Sequence, residues 1–167
     1  MTVPTITLHD ARPDTEPGLG ALRGYVGDVI GRMNGRPATD EEIDAFVAES
    51  PHGGLVPPEG VFVLALGGED TVLGCAGLRF AGPGVPDDAA EIKRMWTDPT
   101  ARGLGVGKTL LADLLARARE AGRARVVLDT RADLVEARTL YERHGFVEVA
   151  PYNDNPYAQV WYALDLR

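Results

Sequence analysis

The sequence is short of the residues that make metal and redox centres. It has one cysteine, Cys75 in "VLGCAGL", and three histidines scattered at positions 9, 52 and 144. A lone thiol excludes an intrachain disulfide, and neither residue type recurs at the spacing of a metal-ligand set, so no metal is expected. With Gly74 and Ala76 beside it and no basic neighbour in its stretch, Cys75 reads as a small buried hydrophobe, and not as a nucleophile. Positive charge is also scarce. Lys and Arg number 17 against 25 Asp and Glu, a net charge of −8, which argues against a nucleic-acid partner, because a phosphate backbone needs a basic face. No apolar run nears the roughly 18 residues of a membrane span. The start "MTVPTITLHDARPD" shows no basic segment followed by a long apolar one, so no secretory signal is visible. A cytoplasmic location and no membrane partner are the expectation.

What is there suits one globular unit. Hydrophobic residues make up 44% and charged residues 25% of 167 residues, an ordinary balance for a single domain over 1–167. "TITLHDA" alternates at period two and reads as a strand through Ile6 and Leu8. From Pro17 to Met33 the spacing of Leu19, Leu22, Val26, Val29 and Ile30 fits a helix, weakened by Gly24, Gly27 and Gly31. Thr39 with Glu42 three residues on marks a capped second helix, which ends at Pro51. "VFVLALG" and "TVLGCAGLRFAG" form a hairpin across "GED", with glycine beside the turn. "EIKRMWT" is a further strand, stopped by Asp98 and Pro99.

A helix from about Gly107 buries Leu110, Leu111, Leu114, Leu115 and Ala118, turns Asp113, Arg117 and Glu120 to water, and ends at Gly122. "RVVLDT" is a strand buried on both faces. Asp133 caps a last helix with Ala137, Leu140 and Tyr141 on one face, closed by His144 and Gly145. "FVEVA" and "VWYALDL", joined by "PYNDNPYAQ", finish the chain. The order β-α-α-β-β-β-α-β-α-β-β predicts an α/β (α+β) fold, a mixed sheet of about seven strands flanked by about four helices.

"ARGLGVGKTLLADLL" is the stretch that carries chemistry. A glycine-rich turn opening a helix is a common phosphate site, since its N–H groups converge at the positive end of the helix dipole. The nucleoside-triphosphatase pattern G-x-x-x-x-G-K-[ST] finds its end in Gly107-Lys108-Thr109, and "VVLD" at 126–129 mimics the companion magnesium-binding strand. Its first glycine position, however, is Arg102. The dinucleotide pattern G-x-G-x-x-G fits Gly103 and Gly105 but meets Lys108 third. The pattern that fits is R-x-x-G-x-G, on Arg102, Gly105 and Gly107.

With that loop, the chain resembles the GNAT superfamily of acetyl-CoA-dependent N-acetyltransferases. "EIKRMWTDPTARGLGVGKTLL" resembles the family's central strand, loop and helix, and "LVEARTLYERHGFVEV" its later helix and strand with LYE-x-x-GF. The resemblance implies a GNAT-like fold and transfer of an acetyl group from acetyl-CoA to a primary amine by direct attack in a ternary complex. A fold kept as a non-catalytic CoA sensor or interaction domain is the alternative. The cofactor would be held by Met95, Trp96 and Thr97 along the strand edge, by the loop residues Arg102, Gly103, Leu104, Gly105, Val106, Gly107 and Lys108, and by Leu134, Ala137 and Tyr141. Leu134 departs from the asparagine that the family often has there.

Direct transfer needs a base for the amine, a donor for the oxyanion and a proton for the thiolate. Tyr141 stands where the family often has the acid, though the same position suits a core aromatic. Glu91 stands where some members have the base, acting directly or through water; a solvent-facing glutamate paired with a cation fits it equally. Tyr152, Asn153, Asp154 and Tyr157 offer polar contacts to an amine acceptor, or are simply residues that turns favour. The expected partner is a small-molecule or peptide amine, and a homodimer is left open.

Overall fold

The chain runs β1 (Thr7–Ala11), α1 (Gly18–Asn34), α2 (Asp40–Glu49), β2 (Gly60–Leu66), β3 (Val72–Arg79), β4 (Ala89–Thr97), α3 (Val106–Glu120), β5 (Arg125–Thr130), α4 (Val135–Arg143), β6 (Val147–Val149) and β7 (Val160–Asp165). This is the order that the periodicities predict. The structure, a computed structural model, describes residues 4–49 and 52–167; the expected helix end at Pro51 lies outside them. The seven strands form one sheet in the order β1-β2-β3-β4-β5-β7-β6. Among the described residues β4 and β5 are the parallel pair, and every other neighbouring pair is antiparallel.

Alternation along β2 sets the two layers. Val61, Val63 and Ala65 pack into one cluster with Leu110, Leu111 and Leu114 of α3. Phe62, Leu64 and Leu66 face the other way, onto Cys75 and Ala21 of α1. A strand covered on both faces carries an unbroken apolar run, and all seven β2 residues are buried. The α3 leucines at 110, 111 and 114 are fully buried, so truncating any one to alanine costs about 2–5 kcal/mol.

Several local expectations hold for the reasons given. The Thr39 hydroxyl accepts from the Glu42 N–H at 3.2 Å, and the Glu42 carboxylate accepts from the Thr39 N–H at 3.0 Å. At Gly24 in α1 a Cβ would stand 2.5 Å from Cη2 of Trp96. That glycine weakens the helix on propensity, yet it lets the indole lie against the helix backbone. The hairpin across "GED" forms as expected, and its left-handed residues are Glu69 and Asp70, at φ 58° and 57°.

Other expectations are corrected. Asp133 does not cap α4: its carboxylate is taken by the Arg131 guanidinium at 3.1 and 3.2 Å, a two-bond pairing that outcompetes one amide. Leu134 occupies the cap position with no side-chain bond to the helix. Asp113 and Arg117 are half-buried instead of facing water. They pair at 2.7 Å, and Arg117 also reaches Asp10 of β1 at 2.6 Å.

Candidate active site

Strand β4 breaks twice from regular geometry. Against β5 its pairing runs from Ala89 to Ile92, although the strand continues to Thr97. The two parallel strands therefore part over residues 93–97, opening a cleft at the carboxyl end of the sheet, where ligands of α/β folds commonly bind. Against β3 the register steps from Cys75 opposite Trp96 to Gly77 opposite Lys93. Two residues, Arg94 and Met95, thus face the single residue Ala76, which is a β-bulge. Arg94 adopts φ 57°, a left-handed conformation that side chains bearing a Cβ rarely take.

The bulge shifts the alternation. Ile92 belongs to the α3-side core and Met95 packs against it, while Trp96 packs on the α1 side. Between them Lys93 and Arg94 both line a cavity on the α1 side.

The loop from β4 to α3 brings its glycines to the helix start. Gly103 and Gly105 have φ 81° and 85°, and nothing stands within 4 Å of a Cβ built on either. Their backbone conformation therefore demands glycine, whereas packing does not. Gly105 caps α3 with no side-chain hydrogen bond, which leaves the first N–H groups of a long helix available to an anion. Arg102 is tied to Asp28 of α1 at 3.4 Å and reaches Glu136 of α4 at 4.0 Å. Lys108 and Leu104 are exposed, whereas the Val106 side chain is buried in the core, so only its backbone can face a ligand. These residues fit a pyrophosphate.

Beneath the cleft, Tyr141 is buried, with its ring beside Phe146 and Tyr162. Its hydroxyl donates to Sδ of Met95 at 3.4 Å. Burial pushes the phenol's pKa up, so Tyr141 stays a neutral proton donor well above pH 7. Met95, Leu134, Ala137 and Tyr141 line one small cavity of about 50 Å³.

A larger cavity of about 590 Å³ adjoins it, walled by α1, α2, β3, β4, β5 and the loop before β7. Asp129, at the end of β5, lines both spaces. Its carboxylate accepts from Lys93 at 3.2 Å, Asn153 at 2.7 Å and Asn155 at 3.1 Å. The resemblance of "VVLD" to a magnesium-binding strand end is thereby explained away: the carboxylate anchors a wall. Asn153 also accepts from the Trp161 indole at 2.9 Å, so it is part of that wall. Asp154 stands exposed at the rim.

Glu91 lies just behind the same wall, fully buried. One carboxylate oxygen accepts from Arg79 at 2.6 Å, and the other from the Tyr152 hydroxyl at 2.7 Å. The expectation of a cation partner holds, but the solvent-facing alternative is wrong. Tyr152 lines the cavity; burial, and then the Glu91 charge, raise its pKa. Cys75 has a basic neighbour that its own stretch hides. Its thiol donates to the Arg94 carbonyl at 3.4 Å, yet burial outweighs the Arg94 charge and pushes the thiol's pKa up.

A model of the Acetyltransferase (GNAT) family matches residues 28–146. The chain belongs to the GNAT family. It is 33% identical over 129 residues to an N-acetyltransferase of Schizosaccharomyces pombe, covering 77% of this chain and 76% of that one. It is 32% identical over 143 residues to the N-alpha-acetyltransferase RimI of Mycobacterium tuberculosis, covering 81% and 82%. Among solved structures, the PaiA N-acetyltransferase of Thermoplasma acidophilum in complex with coenzyme A matches at a TM-score of 0.71 and 16% identity, over 96% of this chain and 99% of that one. At that identity the likeness concerns the fold alone. The chain is an acetyltransferase.

On this GNAT frame eight of the residues singled out from sequence line the two cavities, Tyr157 lining both. Met95, Leu134, Ala137 and Tyr141 meet in the small cavity, and Tyr152, Asn153, Asp154 and Tyr157 line the large one. Trp96 packs under α1, and Glu91 lines neither space. Sequence reading passed over Arg79, Lys93 and Arg94, and weighed Asp129 only as a metal ligand. One signal was available: the Lys93-Arg94 doublet breaks the strict alternation of "EIKRMWT", as a bulge does. No helix of the described residues is long and apolar enough to cross a membrane.

Proposed function

We propose that the protein transfers the acetyl group of acetyl-CoA to the primary amine of a small molecule or peptide. The observation that supports this most is the parting of β4 from β5 beyond Ile92, with Tyr141 at its floor and an acceptor-sized cavity beside it. Acetyl-CoA supplies the thioester: the C–N bond forms as the C–S bond breaks, and sulfur leaves with a proton.

Each part of the site has a task in that reading. The N–H groups at 103–108 and the start of α3 hold the pyrophosphate. The β4 edge over 95–97 offers backbone groups to the pantetheine arm in the manner of an added strand. Tyr141, kept neutral by burial, donates its proton toward sulfur as negative charge develops there. The attacking nitrogen must lose a proton as well. Glu91 takes it through Tyr152, whose hydroxyl bridges the cavity and the carboxylate.

Calorimetry with acetyl-CoA and, separately, with ATP and magnesium tests the cofactor. A panel of amines read by free-thiol release tests turnover. Preference for the nucleotide would overturn the reading. Tight CoA binding with no amine acetylated would favour a sensor.

A further inference from the structure

We infer that the acceptor is an amine carrying a carboxylate beside it, an α-amino acid whose carboxylate is held by Arg94 and whose side chain lies against Phe46 and Tyr157. The inference rests on the acetyl-transfer reading above and names its substrate class.

Three cations, Arg79, Lys93 and Arg94, come from adjacent strands to one wall of the large cavity. Regular alternation would send Arg94 into the apolar core with Ile92. The bulge instead places it beside Lys93, on the cavity side, at φ 57°. A residue with a Cβ in that conformation costs about 1–2 kcal/mol, and strain of this kind persists where it serves a site.

The guanidiniums of Arg79 and Arg94 flank the same glycine. Arg79 donates to the Gly53 carbonyl at 3.3 Å, and a Cβ at Gly53 would stand 3.0 Å from Nη2 of Arg94. Burial acts most strongly against the Arg94 cation, the nearby Tyr25 favours it, and the neighbouring Arg79 charge acts against it. An anion in the cavity offsets both adverse effects, and a guanidinium fork matches a carboxylate.

The placement of the amine follows from Asp129. Asp129 and Arg94 both line the large cavity and the small one beneath it. An ammonium drawn to Asp129 and a carboxylate drawn to Arg94 therefore sit at one junction, which suits groups on a single carbon. The outer cavity is partly aromatic, with the Phe46 and Tyr157 rings 5.2 Å apart, and it takes the rest of an apolar side chain. A zwitterion is also indifferent to the chain's net charge of −8, which repels a bare anion.

The test compares L-phenylalanine, L-phenylalaninamide and phenethylamine as acceptors, by thiol release and by calorimetry on the CoA-loaded protein. We expect kcat/KM for phenylalanine to exceed that for the other two by at least 30-fold. In Arg94→Asn, which keeps a side chain tolerant of the left-handed backbone, the ratio should fall below about threefold while the KM for acetyl-CoA is unchanged. Turnover of the amide and the amine equal to that of phenylalanine, or a ratio that survives Arg94→Asn, overturns the proposal and leaves acetyl transfer standing. Carboxylate-dependent binding without any turnover supports the pocket and overturns the transfer reading. The wild-type series decides even if the variant does not fold.

Discussion

Replacing Tyr141 with phenylalanine separates a catalytic hydroxyl from a packing ring. The ring contacts with Phe146 and Tyr162, at centroid distances of 5.7 and 6.0 Å, survive the change. What is lost is an O–H donor to a thioether 3.4 Å away, and sulfur is a weak acceptor. The stability cost is therefore at or below about 1 kcal/mol, and the melting temperature should fall by less than about 4 °C. The effect on rate should be far larger. A general acid contributes about 10- to 1000-fold here, equivalent to about 1.4–4 kcal/mol at the transition state. Because the hydroxyl matters only as charge develops on sulfur, kcat should fall while acetyl-CoA affinity holds. The assay is thiol release at saturating acetyl-CoA and acceptor, with calorimetry for affinity and a thermal melt for stability. Burial raises the folded phenol's pKa, so its acid form persists as pH rises, and the wild-type rate should show no loss from Tyr141 below pH about 10. Unchanged turnover under chemistry-limited conditions would refute the acid role. Lost activity together with a lost fold would make Tyr141 a core residue only.

Three further outcomes are expected. Tyr152→Phe takes a donor from the fully buried Glu91 carboxylate, which costs about 1.5–3 kcal/mol in stability; kcat should fall as well, and an unchanged rate would remove the Tyr152–Glu91 relay. Gly105→Asp, at φ 85°, adds about 1–2 kcal/mol of backbone strain and a negative charge beside the phosphate site; acetyl-CoA affinity by calorimetry should drop at least tenfold, and intact affinity would move the phosphates elsewhere. Cys75 has a raised folded pKa, so its contribution to stability is complete below the unfolded value of about 8.5 and is lost as pH rises above it, at about 1.4 kcal/mol per pH unit. In denaturant titrations Cys75→Ala should lose stability less steeply than wild type above pH 9, and parallel curves would contradict a buried thiol.

Elements whose sequence signal is local were legible. The α3 leucines at 110, 111, 114 and 115 follow the helical period, and Thr39 and Glu42 are close enough in sequence to cap each other in any context. The loop at 102–107 was legible for the same reason, since its glycines are set by backbone conformation. Residues governed by distant partners were not legible. Asp133 suits a cap, but Arg131 holds it. Glu91 looks like a surface glutamate until β3 brings Arg79 beside it and the last loop brings Tyr152. The large cavity has walls from helices, strands and loops spread along the chain, so no single stretch announces it.

The bulge in β4 also separates how many residues the strand contains from which residues they are. Straightening it with every residue kept would invert the strand beyond it, turning Trp96 toward α3 and Met95 toward α1, so the bulge itself is fixed by both apolar layers. Identity at the extra position carries no such burden, because its side chain joins neither apolar layer. Within this scaffold, position 94 is therefore a place where an acceptor preference can be rewritten by point substitution, with the core on both sides left as it is.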